Sequence, residues 1–383
     1  MKKTLKLIAS LLIGAAIGFS ISTLFVVLFT EITFVEFITK FKDVKLLEMG
    51  GVILFSILSF LVAIFVHILS HEGGHLIAGL LTGYNFVSFR IFSFTLLKSN
   101  GKFSLKRFDI AGTGGQCLLT PPDRPIEEIN TAFYNAGGFL VNIILSIIAL
   151  CCFFLFEAPL AKTFIFIFAL TGLFIAIING VPFKVGGMAN DGYNMKMLRK
   201  NLATKRAMCI QLRVNALVQE GLRPNQMPKE WFELSEENFD WSDPIQLSTK
   251  LMKASYIMDC GNMEEAHLIL EEAWNNREKI APLFMKEIAC ELIYTSLVTE
   301  RKELAKEIFT KEIKNYIEQY RKIMSSKERI LCAIELLLNE NIAAAKDIMN
   351  AVINRRDQYL MQGEVNMDIA LMEEMMKEEP HNL

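Results

Sequence analysis

His71-Glu72-Gly73-Gly74-His75 places two imidazoles and a carboxylate within five residues of a 383-residue chain. On a helix, residues four apart share a face about 6 Å apart along the axis, so both histidines can grip one divalent ion with Glu72 beside it. Zinc takes nitrogen ligands and, in catalytic sites, keeps one position open for water. The ion lowers that water's pKa, and a neighbouring carboxylate can take its proton and pass it to a leaving amine. An HExxH pattern also arises by chance in soluble helices. Here the setting sharpens it: between Glu48 and Arg90, Glu72 is the only formally charged side chain. Ionisable groups at membrane depth are costly, and the default reading of one is a functional site.

Two histidines need a third ligand. Glu157 follows the third apolar run and lies at its far end, whereas Asp191, in "NGVPFKVGGMANDGYNM", follows the fourth run and returns to the depth of His71 and His75. Asp191 is therefore the expected third ligand. His67 continues the stripe one turn deeper and reads as a hydrogen-bonded core histidine, because a catalytic zinc reserves its fourth position for water. Gly73 and Gly74 each cost a helix about 1 kcal/mol relative to alanine. Either substrate or backbone approaches closely there, or small residues let membrane helices pack.

The elements that must position these groups are membrane spans. Hydrophobic residues make up 52% of the chain, with a mean hydropathy of +0.32, yet it carries 82 charged side chains, so its polarity is segregated. Apolar runs at about 7–30, 51–83, 131–156 and 163–183 each suffice for the ~20 residues of a spanning helix. The first resembles a signal peptide but is longer than the ~7–15 apolar residues of one, which favours an uncleaved helix. Lys2 and Lys3 before it, and Lys196, Arg199, Lys200, Lys205 and Arg206 after the last run, put both termini in the cytoplasm of a multi-pass cell-membrane protein. Alternating residues from Val87 to Ile91 and the turn at Ser99-Asn100-Gly101 predict a short β-hairpin over about 86–110 near the cytoplasmic face. "GTGGQCLLTPPDRP" then reads as a loop.

From about residue 195 the chain is charged and helical in pattern. Ala266, Ala305 and Ala345, with Ile269, Ile308 and Ile348, recur at intervals of 39 and 40 residues, which suggests stacked helical hairpins of tetratricopeptide kind. The competing reading is a plain helical domain. The fold expected is mainly α: a polytopic bundle of about four spans with a β-hairpin over 1–194, and a cytosolic repeat-like helical domain over 195–383. Seven scattered cysteines without CxxC spacing read as buried free thiols. His267 and His381 read as surface histidines. A net charge of −2, with no basic face, argues against a nucleic-acid partner.

"HEGGH" in one span, "NAGGFLVN" in the next and "NGVP…NDG" after the last resemble the site-2 protease-type intramembrane zinc metalloproteases over roughly residues 50–195. The resemblance implies zinc held by His71, His75 and Asp191, with Glu72 as catalytic base. It also implies that Asn142, after Gly137 and Gly138, and Asn179 steady the substrate or the developing oxyanion. Two departures stand out: Gly138 replaces the usual proline, and "KVGGM" lengthens the gap between Asn179 and Asp191. No PDZ domain fits between Tyr84 and Thr131. The function implied is a zinc endopeptidase acting on membrane proteins or membrane-associated peptides. A spanning substrate must unwind before its backbone can be cut, and the hairpin could accept it as an added strand. Beyond the substrate, the partners expected are the lipid bilayer and a cytosolic protein docked on the C-terminal helices. The alternative is a non-catalytic peptide-binding, immunity or scaffold protein that retains the site. A transporter is disfavoured because four spans show no internal symmetry.

Overall fold

The computed structural model describes residues 46–99, 101–108, 114–185, 188–233 and 239–378. The first expected span, about 7–30, lies outside them, as does His381. The described residues are mainly helical, and the chain divides into compact units at Val62 and Ala63. All of the site lies in the second.

Among the described residues, three helices are long and apolar enough to cross a membrane: α1 (Leu46–Leu81), α2 (Thr131–Phe153) and α3 (Pro159–Gly180). At about 1.5 Å per residue, α1 reaches well beyond a hydrocarbon core of about 30 Å. It stops at Gly83, whose φ of +87° favours glycine and whose N–H donates to the Leu80 carbonyl. Asn130 caps α2 by accepting from Phe133 N at 3.0 Å, and Pro159 opens α3, where a missing N–H costs nothing. Exposed side chains such as Ile144, Ile147, Ile148, Phe174 and Ile177 give α2 and α3 apolar outer faces suited to lipid.

Between α1 and α2 lies a four-stranded antiparallel sheet, in the order β3-β2-β1-β4: β1 (Asn85–Ile91), β2 (Phe94–Ser99), β3 (Lys102–Arg107) and β4 (Gly115–Thr120). The expected hairpin is thus larger than two strands. Phe92, at a φ of +50°, turns the chain between β1 and β2, and Gly101 turns it between β2 and β3. The loop read over Gly112 to Pro125 needs correction, for it contains β4. Cys117, Leu118 and Leu119 are buried there, and β4 pairs with β1 from Asn85↔Thr120 to Ile91↔Gly115.

After α3, a two-residue ladder, β5 (Lys184–Val185) with β6 (Met188–Ala189), leads into α4 (Asp191–Lys200) and α5 (Leu202–Glu220). The remaining helices are α6 (Pro244–Asp259), α7 (Met263–Asn275), α8 (Pro282–Val298), α9 (Lys302–Ile308), α10 (Lys311–Tyr320), α11 (Ser325–Ala333), α12 (Ile342–Asn354) and α13 (Gln362–Glu378). Ala266, Ala305 and Ala345 are all buried in one core, on α7, α9 and α12. His267 is not on the surface. It is fully buried, its Nδ1 3.3 Å from Thr295 Oγ1, because α8 packs over this face of α7. The cysteines are free, although Cys151 and Cys260 are exposed rather than buried.

Candidate metal centre

The centre begins with two glycines. A Cβ on Gly74 or on Gly137 would overlap the other's carbonyl, so only bare backbone lets α1 and α2 meet this closely. One residue further on, a Cβ on Gly138 would lie 2.6 Å from the Nε2 atoms of both His71 and His75. Glycine therefore leaves the space in which the imidazoles stand.

Asp191 arrives by another route. The β5–β6 ladder carries the chain out and back, pairing Lys184 with Ala189, so the added residues leave Asn190 and Asp191 close to the end of α3. Asn190 then fastens the entry to α4. Its side chain donates to the carbonyls of Ile178 at 2.8 Å and Val181 at 2.6 Å, and it accepts from Tyr193 N at 2.9 Å as the helix cap. Gly192 lets the first turn of α4 sit against the Gly180 carbonyl, where a Cβ would overlap.

These contacts bring three ligand atoms together. His71 Nε2 lies 3.2 Å from His75 Nε2, and Asp191 Oδ2 lies 3.1 Å from the first and 3.3 Å from the second. Donors held about 2.0–2.1 Å from a zinc ion at tetrahedral angles stand about 3.3 Å apart, so the triangle has the edge length of a zinc site. Asp191 Oδ2 is buried and has no hydrogen-bond partner among the described residues, as an atom reserved for a ligand would be. The ionised carboxylate is the form that binds a metal. His75 Nδ1 lies 2.8 Å from the Tyr134 carbonyl, which can only accept, so Nδ1 carries the proton and Nε2 presents its lone pair. Donor types, spacing and tautomer all fit a zinc ion.

The triangle opens on a cavity of about 510 Å³. Glu72 lines it beside the ligands, against β4: a Cβ on Gly115 would lie 2.8 Å from Glu72 Oε1. The strand nearest Glu72 is thus β4, outside the expected hairpin, and β4 ends the sheet on that side. Met208, Leu212 and Asn215 of α5 also line it. Sequence reasoning missed them, since their spacing reads as an ordinary helical core stripe.

The other candidates separate. Glu157 is exposed in the turn between α2 and α3, away from the ligands. Asn179 lines the cavity, its Nδ2 donating to the Ile175 carbonyl at 2.9 Å. Asn142 does not line it. It is fully buried, its amide 3.4 Å from His71 Nδ1 and 3.3 Å from His67 Nδ1, so both ends are turned to histidines and not to a substrate. His67 is fully buried and stands outside the ligand group.

Residues 59–354, most of the chain, match the profile of Peptidase family M50. No curated protein and no solved structure matches it.

Proposed function

This chain belongs to peptidase family M50, the site-2 protease family of membrane-embedded metalloproteases, and we propose that it is an intramembrane zinc-dependent endopeptidase. Its substrates are membrane proteins or membrane-associated peptides. The observation that carries this reading is the triangle of His71 Nε2, His75 Nε2 and Asp191 Oδ2, with edges of 3.1–3.3 Å, open to a cavity that Glu72 shares.

Zinc held by these three residues would polarise a scissile carbonyl and acidify the attacking water. Glu72 takes the proton from that water and delivers it to the leaving amine nitrogen, so one carboxylate serves as base and then acid. Asn179 lies at the cavity wall to hold the substrate backbone. An unwound substrate adds as a strand along β4, where backbone hydrogen bonds fix its register beside Glu72 and α5 receives alternate side chains. The membrane part comprises residues 1–194, with both termini in the cytoplasm, and the helices after it offer a docking surface to a cytosolic protein.

The test compares wild type with Glu72→Gln on a panel of tagged single-span substrates, with bound zinc measured in both. Wild type should cleave and Glu72→Gln should not, at equal zinc content. Equal cleavage by both proteins overturns the protease reading, and so does cleavage by neither across the panel, which favours a non-catalytic binding protein.

A further inference from the structure

His67 has no role in the ligand triangle, yet three helices build a socket for it. Its ring is fully buried, with Nε2 3.0 Å from the Phe168 carbonyl of α3 and Nδ1 3.3 Å from Asn142 Oδ1 of α2. Gly172 makes the first contact possible, since a Cβ there would overlap the imidazole and Ser146 Oγ. Ser146 Oγ donates to the Asn142 carbonyl at 2.7 Å, tying the same turn together. Asn142 Nδ2 lies 3.4 Å from His71 Nδ1.

Donors and acceptors along this chain of contacts can be assigned from one end. The Phe168 carbonyl can only accept, so His67 Nε2 carries a proton. A second proton on Nδ1 would make a buried imidazolium with no acidic partner among the described residues, at a large desolvation cost. His67 Nδ1 is therefore an acceptor, and the amide, which stands with Oδ1 toward it, must be turned end for end to offer Nδ2. Asn142 Oδ1 then faces His71 and takes a proton from its Nδ1. The unturned amide, with Nδ2 toward His71, puts the proton on His71 Nε2, between His75 Nε2 and Asp191 Oδ2, where a ligand lone pair is needed. The two ends of an amide have the same shape, and the hydrogen-bond network decides which end points where.

We infer that His67 is a positioning residue that acts through Asn142 to keep the proton of His71 on Nδ1 and its Nε2 free for zinc. The inference rests on the zinc reading above. His75 reaches the same tautomer directly, through the Tyr134 carbonyl at 2.8 Å. His71 needs a relay because the group beside its Nδ1 is a reversible amide, and only the far side of that amide can fix its direction. An outer partner of a ligating histidine typically changes metal affinity by about 10–100-fold when removed.

The test measures zinc affinity of the full-length protein by competition with a chelator, without reference to cleavage. Asn142→Leu and His67→Leu should each weaken zinc binding, Asn142→Leu by about 10–100-fold. His67→Asn should restore most of the affinity, because its side-chain oxygen replaces the Nδ1 acceptor. Leucine matches the bulk of histidine better than asparagine does, so a role in packing alone predicts the opposite order. Wild-type affinity in His67→Leu, or His67→Asn no better than His67→Leu, overturns the relay. Wild type that binds no zinc overturns the zinc reading itself.

Discussion

Gly74 of α1 and Gly137 of α2 touch through their backbones, each within overlap distance of any Cβ placed on the other. The turn that holds His75 is thereby set against the turn that holds Gly138. Gly74→Ala and Gly137→Ala should each force the helices apart at a cost of about 1–3 kcal/mol, seen as a lower unfolding temperature in detergent and less bound zinc. Gly73 is the internal control, because a Cβ there meets nothing within 4 Å. Gly73→Ala should instead stabilise the helix by up to about 1 kcal/mol.

Gly138→Ala tests the space left for the imidazoles. Its Cβ would stand 2.6 Å from Nε2 of both His71 and His75 and would have to displace one ring. The expected outcome is loss of zinc with little change in helix content, read by metal analysis and circular dichroism on the same sample. Undiminished zinc would contradict the geometry.

Asn190→Ala removes a helix cap and two bonds to the end of α3 at once. The cap alone is worth about 1 kcal/mol. The freed first turn of α4 should let Asp191 drift, so zinc binding should weaken further than a cap on any other helix would cause. Asn201→Ala, which uncaps α5, provides the comparison.

Leu212→Trp should fill the cavity from the α5 side. Zinc content should stay at the wild-type level while cleavage of every substrate falls, a split that separates access from chemistry.

The histidine pair is legible in the sequence because Glu72 is the lone charge in a long apolar run, and Asp191 because its place after the last run matches the pair in depth. The structure brings these ligand atoms within 4.8 Å of one another. The three spans within the described residues are legible from length and apolarity alone, with ends differing by a few residues from those expected. β4 is not legible, since "GQCLLT" between glycines and prolines has strand character only through its pairing with β1. His267 looks like a surface residue until α8, some 28 positions away, covers it. Asn142 shows the same limit. A polar residue in a span announces importance, but which groups its two ends meet depends on three helices at once.

Helix α5 belongs by composition to the charged half, yet its side chains Met208, Leu212 and Asn215 close the reaction chamber. The outer helices hold it in place: Asn366 Nδ2 of α13 donates to the Gly221 carbonyl at its end, and a Cβ on Gly363 would overlap the Leu222 carbonyl just beyond. The metal-site helices and the charged helices that follow them therefore cannot be traded as cassettes at the point where the hydropathy changes. A chimaera joined near Lys200 would leave the chamber without the α5 side chains that line it, and a load placed on the tail would be felt there.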